Sequence, residues 1–548
     1  MRALRTSSEL AKTPLRLKLL KAIGIAALII IAVGLVGVWY MIGHAGPILR
    51  ARVIQTLSNR FNSKVELAGF QVSVLHGIEV TGSGLEIYGT KDPNAYQPGI
   101  QPLIEIREFR FQTALRNLFR SPMHIDTVYV QGMILNVPPK QSRQELTGIG
   151  SKARRMTILV HKFLCEDTRL LINTINPEKP PLEFAISELK MKEIGPGQPL
   201  QFDATLVNPK PVGDIHSTGL FGPWQQDSPR DTPVQGEYSF NHADLGTIKG
   251  IGGMLSSIGQ YSGTLNNIVV HGTTDTPDFR IASSGHPVSL HTEFHAVVDG
   301  TCGDTYLKPV KASFLHTSFT ASGSVVRLEK GHGRGHDIAL DVVLDRGRIE
   351  DLLRLGVRTD PPIMSGPVDL KTKLRLSPGE ESVANRLQLA GDFHVLYAHF
   401  ENAKVQGKLN SLSLRSRGHR QSRVEREDDV QTDLQGVFTL GDGLLSFSSL
   451  HFLVPGTQVD MKGGYSLDGR EFNFHGKARF DAKLSQMTTG WKSILLKPVD
   501  PFFTKNGAGT EVPIKITGTQ SEPRFGLDFH HKEEHEGAVK KADTLSKR

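Results

Sequence analysis

The sequence predicts a mainly β protein: an elongated, curved antiparallel β-sheet groove with a few short helices and one N-terminal transmembrane helix. Three observations predict it. Ala22–Ile42 runs for 21 residues without a charge, long enough to cross a hydrocarbon core as one helix. From Lys64 onward the texture is short apolar-polar alternation punctuated by Gly and Pro. Within that texture Glu471–Leu484 alternates strictly over 14 residues.

Taken in order, residues 1–21 form a basic segment in which Arg2, Arg5, Lys12, Arg16, Lys18 and Lys21 face one acid, Glu9. Positive flanks stay on the cytoplasmic side, so everything after residue 42 is expected across the membrane. Gly43 and Ala45 would suit signal-peptide cleavage, but such peptides have apolar cores of about 7–15 residues, so an uncleaved anchor is the preferred reading. The first 21 residues supply five of the eight net positive charges. The remainder is close to neutral and shows no basic stripe interleaved with aromatics, which argues against a nucleic-acid partner. Two cysteines, Cys165 and Cys302, are too few for a disulfide scaffold or a thiolate metal site, although one bridge is allowed.

Residues 46–137 open with a short helix after Pro47, with Leu49, Val53, Leu57 and Phe61 on one face. Strands follow at Val65–Phe70, Glu105–Phe111 and His124–Gly132. Residues 138–200 read as a connector carrying a short helix or strand, because Gln141–Arg155 is polar and basic and Asn176–Pro181 is proline-rich. Alternation returns over 201–529, including Val288–Val298. Helices are expected at Arg348–Leu355, with Ile349, Leu352 and Leu353 on one face, and at Leu484–Leu496, stopped before Pro498. Asp244–Ser257 has helical spacing, but four glycines between Gly246 and Gly253 each cost about 1 kcal/mol relative to Ala. Residues 530–548 form a charged tail, read as disordered.

In Glu471–Leu484, Phe472, Phe474, Ala478, Phe480 and Leu484 share one face and Glu471, Asn473, Lys477, Arg479 and Asp481 the other. In Thr457–Lys462, Val459 and Met461 oppose Gln458, Asp460 and Lys462. A meander with one apolar face must close on itself, stack, or bury that face against something else. An open twisted sheet of more than about ten strands curls, so a trough is one outcome and the closed core of a sandwich or barrel is the other. If it is a trough, Val459, Met461, Phe472, Phe474, Ala478, Phe480 and Leu484 line it. Such a lining shields acyl chains at about 0.8 kcal/mol per methylene.

The single anchor, the helix ending RVIQTLSNRF, and VELAGFQVSVLHGIEVTGSGLEIYG (Val65–Gly89) resemble the opening of AsmA-like bacterial envelope proteins. The meander Gln431–Leu484 and VPIKITGTQSEPRFGLDF (Val512–Phe529) resemble that family's C-terminal region. The resemblance implies an inner-membrane protein whose body lies in the periplasm, related to bridge-like lipid-transfer proteins, with a β-groove for phospholipid that serves outer-membrane homeostasis. It also implies outer-membrane or periplasmic protein partners. The alternative is a scaffold or assembly factor for outer-membrane proteins with a closed β core.

Chemistry-bearing constellations are sparse. His291, Glu293 and His295 project from one face of Val288–Val298, a set that can ligate zinc and would suit a membrane-tethered hydrolase, but no fourth ligand is indicated. His332 and His336 lie in a Gly-rich turn, and His530, His531 and His535 in the tail. Asp341 and Asp345, or Glu350 and Asp351, read as scattered surface acids. There is no phosphate-cradling loop and no nucleophile elbow. The expectation is no enzyme, no cofactor and no resident metal.

Overall fold

The computed structural model describes residues 50–58, 63–73, 78–88, 101–120, 122–137, 158–173, 180–225, 228–282, 286–327, 335–417, 430–466, 470–482, 510–519 and 522–528, with short gaps inside some of these. The expected anchor 22–42, Leu484, the helix Leu484–Leu496 and the tail 530–548 lie outside the described residues. Among the described residues no helix is long and apolar enough to cross a membrane. The chain divides into two units, residues 1–209 with 216–224, and 210–215 with 225–548.

In the first unit the strands are β1 (Val65–Ser73), β2 (Ile78–Ile87), β3 (Ile104–Thr113), β4 (Met123–Val137), β5 (Ile158–Ile172), β6 (Leu182–Ile194) and β7 (Leu200–Pro209). Each pairs with the next. All steps are antiparallel except β4 to β5, which is parallel. A parallel step needs about a dozen or more residues to bring the chain back, and residues 138–157 supply them. Helical residues 50–58 lay Ile54 and Leu57 against a core of Val65, Leu67, Leu85 and Ile87. From that helix the Arg50 guanidinium donates to the Leu67 carbonyl of the outermost strand, satisfying an acceptor that an edge would leave bare. The expected connector is corrected here: 138–200 carries β5 and β6, strands of 15 and 13 residues.

β8 (Val212–Phe221) is shared between the units. The second unit then contains β9 (Pro233–Asp244), β10 (Ile251–Gly252), β11 (Met254–Thr264), β12 (Asn267–Ile281), β13 (Val288–Val298), β14 (Thr305–Phe314), β15 (Thr317–Arg327) and β16 (His336–Arg348). It continues with β17 (Met364–Ser365), β18 (Pro367–Leu376), β19 (Leu387–Phe400), β20 (Thr432–Gly441), β21 (Leu444–Val454), β22 (Thr457–Ser466), β23 (Glu471–Phe480), β24 (Thr510–Thr519) and β25 (Pro523–Leu527). From β9 through β11 to β25 every step is antiparallel, with the two-residue strands β10 and β17 extending the edges of β12 and β19. Turn chemistry explains the hairpins. Asp442 and Gly443 both have positive φ, the type I′ geometry that matches strand twist, and Pro455-Gly456 places φ +84° on the glycine.

Three helical interruptions fall at one end of this second sheet, while the turns Pro229–Asp231 and Val383–Arg386 precede β9 and β19 at the other. β9, β16 and β19 all run the same way, and each ends in a bulge whose left-handed residue, His242, Arg346 or Tyr397, precedes a small one, Ala243, Gly347 or Ala398. A helical turn Leu245–Thr247, the helix Ile349–Gly356 and the helix Ala403–Ser416 follow these three strands. Asp369 and Asp433 on neighbouring strands accept the Arg346 and Tyr397 backbone N–H groups at 2.8 and 3.1 Å, which satisfies donors the bulges take out of the ladder. The helix Ile349–Gly356 agrees with the sequence reading and packs Ile349 and Leu352 on a core of Leu344, Val368, Val395 and Ala398. Asp244–Ser257 is a short turn leading into β10 and β11. β23 is shorter than the alternating run: Asp481 and Ala482 instead donate to the carbonyls of Gly456 and Ser416.

The helix Ala403–Ser416 had no counterpart in the sequence reading. It docks through polar side chains: Gln406 accepts from the Phe400 N–H and donates to Asn410 and the Val430 carbonyl, while Ser413 donates to the Pro455 carbonyl. Ser416 and Thr457 share a buried hydroxyl contact. The coarse fold class, mainly β with open antiparallel sheets and few helices, matches the expectation within each unit apart from the parallel step.

Candidate functional site

Strand registers place the apolar positions in rows. One row joins Leu340, Leu374, Leu389, Leu440 and Leu445 across β16, β18, β19, β20 and β21. Another joins Leu344, Leu370, Phe393, Gly436, Leu450, Met461 and Gly476 from β16 to β23. Alternate positions carry Asp341, Lys373, Thr439 and Ser446, so along these rows the two faces of the sheet differ. Leu344, Val368 and Val395, close to the helices, are almost fully buried. Farther along the same strands Leu374, Leu389, Leu440 and Leu445 are half-buried. The helix Ile349–Gly356 covers only one end of the face.

The residues expected to line a trough lie together. Val459 is opposite Ala478, and Phe472 and Phe474 are opposite Tyr465 and Gly463. Phe474 and Ala478 are buried, Val459, Met461, Phe472 and Phe480 half-buried. The rings of Tyr465 and Phe472 are 4.9 Å apart and those of Phe447 and Phe474 5.8 Å. Leu484 is outside the described residues.

Glycines in mid-strand make this packing possible. A side chain at Gly463 would meet the Asn473 carbonyl oxygen at 2.1 Å, and one at Gly436 would meet the Phe393 ring at 2.9 Å. In the first unit the Phe109 ring occupies the space beside Gly82, and in the second Phe294 does so beside Gly272. An aromatic on the next strand thus covers a glycine that would otherwise expose backbone. A depression of about 710 Å³ on the second unit is lined by Leu340, Leu374, Leu389 and Leu440 together with Asp341, Lys373 and Arg375. Its lining also includes Thr439 and Ser446, so it takes in the alternate positions of Asp341 and Lys373 and is not a pocket of the leucine face alone.

The expected zinc set separates. His291 bonds Asp275 at 2.6 Å, Glu293 pairs with Lys311 at 3.5 Å, and the His295 ring packs edge-on to His271 at 3.6 Å. Burial, then the nearby His271 and Lys308, hold the His295 ring below the usual histidine range. Among the described residues no three His, Cys, Asp or Glu side chains converge to hold a metal ion. His336 opens β16. Asp351, read as a surface acid, is 4% exposed and binds the His316 N–H and the Thr317 hydroxyl at 2.9 and 2.8 Å.

Cys165 and Cys302 are both free. Cys165 is fully buried, its Sγ 2.9 Å from the Thr168 hydroxyl, and burial pushes its thiol up; burial also raises Cys302. Since the thiolate is the nucleophile, a short iodoacetamide pulse at pH 8 is expected to alkylate Cys302 slowly and leave Cys165 intact until denaturant is added. Peptide mapping by mass spectrometry checks this, and rapid native labelling of Cys165 would contradict it. No family model, curated protein or solved structure matches the chain.

Proposed function

We propose that the chain is an inner-membrane-anchored periplasmic protein that holds phospholipid acyl chains along the apolar face of its β-sheet and passes them toward the outer membrane without chemistry. The observation that carries this reading is the row of half-buried leucines at 340, 374, 389, 440 and 445, set on a face that the helix covers only at one end. Removing a methylene from water is worth about 0.8 kcal/mol, so partial shelter of a tail along several strands gives useful affinity while leaving the tail mobile. The resemblance of both ends of the chain to AsmA-like proteins supports the anchor, the compartment and the trough.

Alternation gives the test its resolution. A photoreactive benzoylphenylalanine is placed in the full chain in cells at Leu374, Leu389 or Met461, and in separate variants at Lys373 or Lys462 on the opposite face. Lipid adducts are expected at the first three positions and several-fold less at the other two. Adducts of equal yield on both faces, or protein adducts alone on the apolar face, would sink the proposal; the second outcome favours the scaffold reading.

A further inference from the structure

One polar patch interrupts the apolar face of the first unit. On that face Phe111, Val128, Phe163 and Met191 stand in register across β3, β4, β5 and β6. One step farther along β4 and β5, Asp126 falls opposite His161, and His161 falls opposite Glu193 on β6. His124, two residues before Asp126, completes the group. The parallel β4–β5 step is what brings His124 and His161 together, although 36 residues separate them in the chain.

Their contacts are directional. His161 Nδ1 lies 3.2 Å from Glu193 Oε1, and His161 Nε2 lies 3.2 Å from His124 Nδ1. A carboxylate accepts only, so Glu193 holds the proton on His161 Nδ1 and leaves the Nε2 lone pair facing His124. A carboxylate behind one imidazole nitrogen, with the other nitrogen turned inward, is how histidine ligands are oriented around a metal. The spacing agrees: two nitrogens each about 2.0–2.1 Å from a tetrahedral zinc stand about 3.3–3.4 Å apart. Asp126 is held by the Ala114 N–H at 2.9 Å and the Asn117 amide at 3.0 Å, and each of its oxygens keeps a further lone pair.

We propose that His124 and His161 form a two-nitrogen site for a borderline divalent cation of the zinc, nickel or copper class, oriented by Glu193 and completed by water. Imidazole donors set this class apart from calcium and magnesium, which take oxygen. Binding needs one prototropic shift, the His124 proton moving from Nδ1 to Nε2, and no change in net charge on the ligands. With two protein nitrogens the affinity is that of an exchangeable site, distinct from a structural zinc.

The test uses the full chain in mild detergent, stripped with chelator and titrated with zinc against a chromophoric competitor. The wild type is expected to take up one equivalent more than the His124→Gln/His161→Gln variant. Glu193→Gln, at a half-exposed position, is expected to weaken that equivalent about tenfold without disturbing circular dichroism. His291→Gln/His295→Gln is expected to match the wild type. Equal uptake by the wild type and the His124/His161 variant would overturn the site. Loss of uptake in the His291/His295 variant alone would assign the zinc to the other histidines and overturn it equally.

Discussion

Replacing Asp351 by alanine is expected to open the helix end of the second sheet locally, raising amide exchange across residues 315–320 and 346–356 by about two orders of magnitude, or about 3 kcal/mol. The Asp351 carboxylate is 4% exposed and receives the His316 N–H and the Thr317 hydroxyl. Thr317, 1% exposed, in turn accepts the Arg348 N–H at 2.9 Å. Removing the carboxylate strands buried donors with nothing in their place, and each costs about 1–3 kcal/mol. Asp351→Asn keeps one acceptor and is expected to cost about half as much. Exchange that stays at wild-type rates in both variants would show that the carboxylate is dispensable.

Gly463→Ala is expected to be among the most damaging single-methyl additions in the second unit, lowering its stability by about 3 kcal/mol or more. Gly463 has φ +149°, which L residues avoid, and a Cβ there would sit 2.1 Å from the Asn473 carbonyl oxygen and 2.6 Å from Phe474 Cα. Both atoms are backbone of β23, so relief requires parting β22 from β23 where Phe447 and Phe474 stack across the glycine. Gly441→Ala is the internal control, because nothing lies within 4 Å of a Cβ there. A change within about 0.5 kcal/mol is expected for it. Urea titration of both variants beside the wild type decides the matter; equal midpoints for the two would refute the argument.

The parts of the fold legible in the sequence are those whose signal is local. Strict alternation marks β23, and the spacing of Ile349 and Leu352 marks the helix after β16. What escaped depends on distant partners. β5 and β6 carry left-handed residues at Asp167 and Glu193, and at each two successive positions are exposed, so the period is broken inside the strand. The helix Ala403–Ser416 buries Gln406, Ser413 and Ser416 against carbonyls and hydroxyls, so it shows no apolar stripe. The fit of Gly82, Gly272 and Gly436 to a phenylalanine on a neighbouring strand has no local signal, because the covering ring is distant in sequence. The expected lining residues on β22 and β23 share a face, since period two over those strands requires it. His124 and His161 were out of reach, because pairing direction leaves no trace in local pattern.

That the three excursions after β9, β16 and β19 share one end has a consequence for how such a chain lengthens. β9, β16 and β19 are separated by even numbers of strand steps, and evenness is what keeps their excursions together. Duplicating or deleting a whole hairpin preserves that parity, whereas gain or loss of a lone strand throws every later helix to the far rim. Growth by twos is therefore the route that leaves the covering segments on one border.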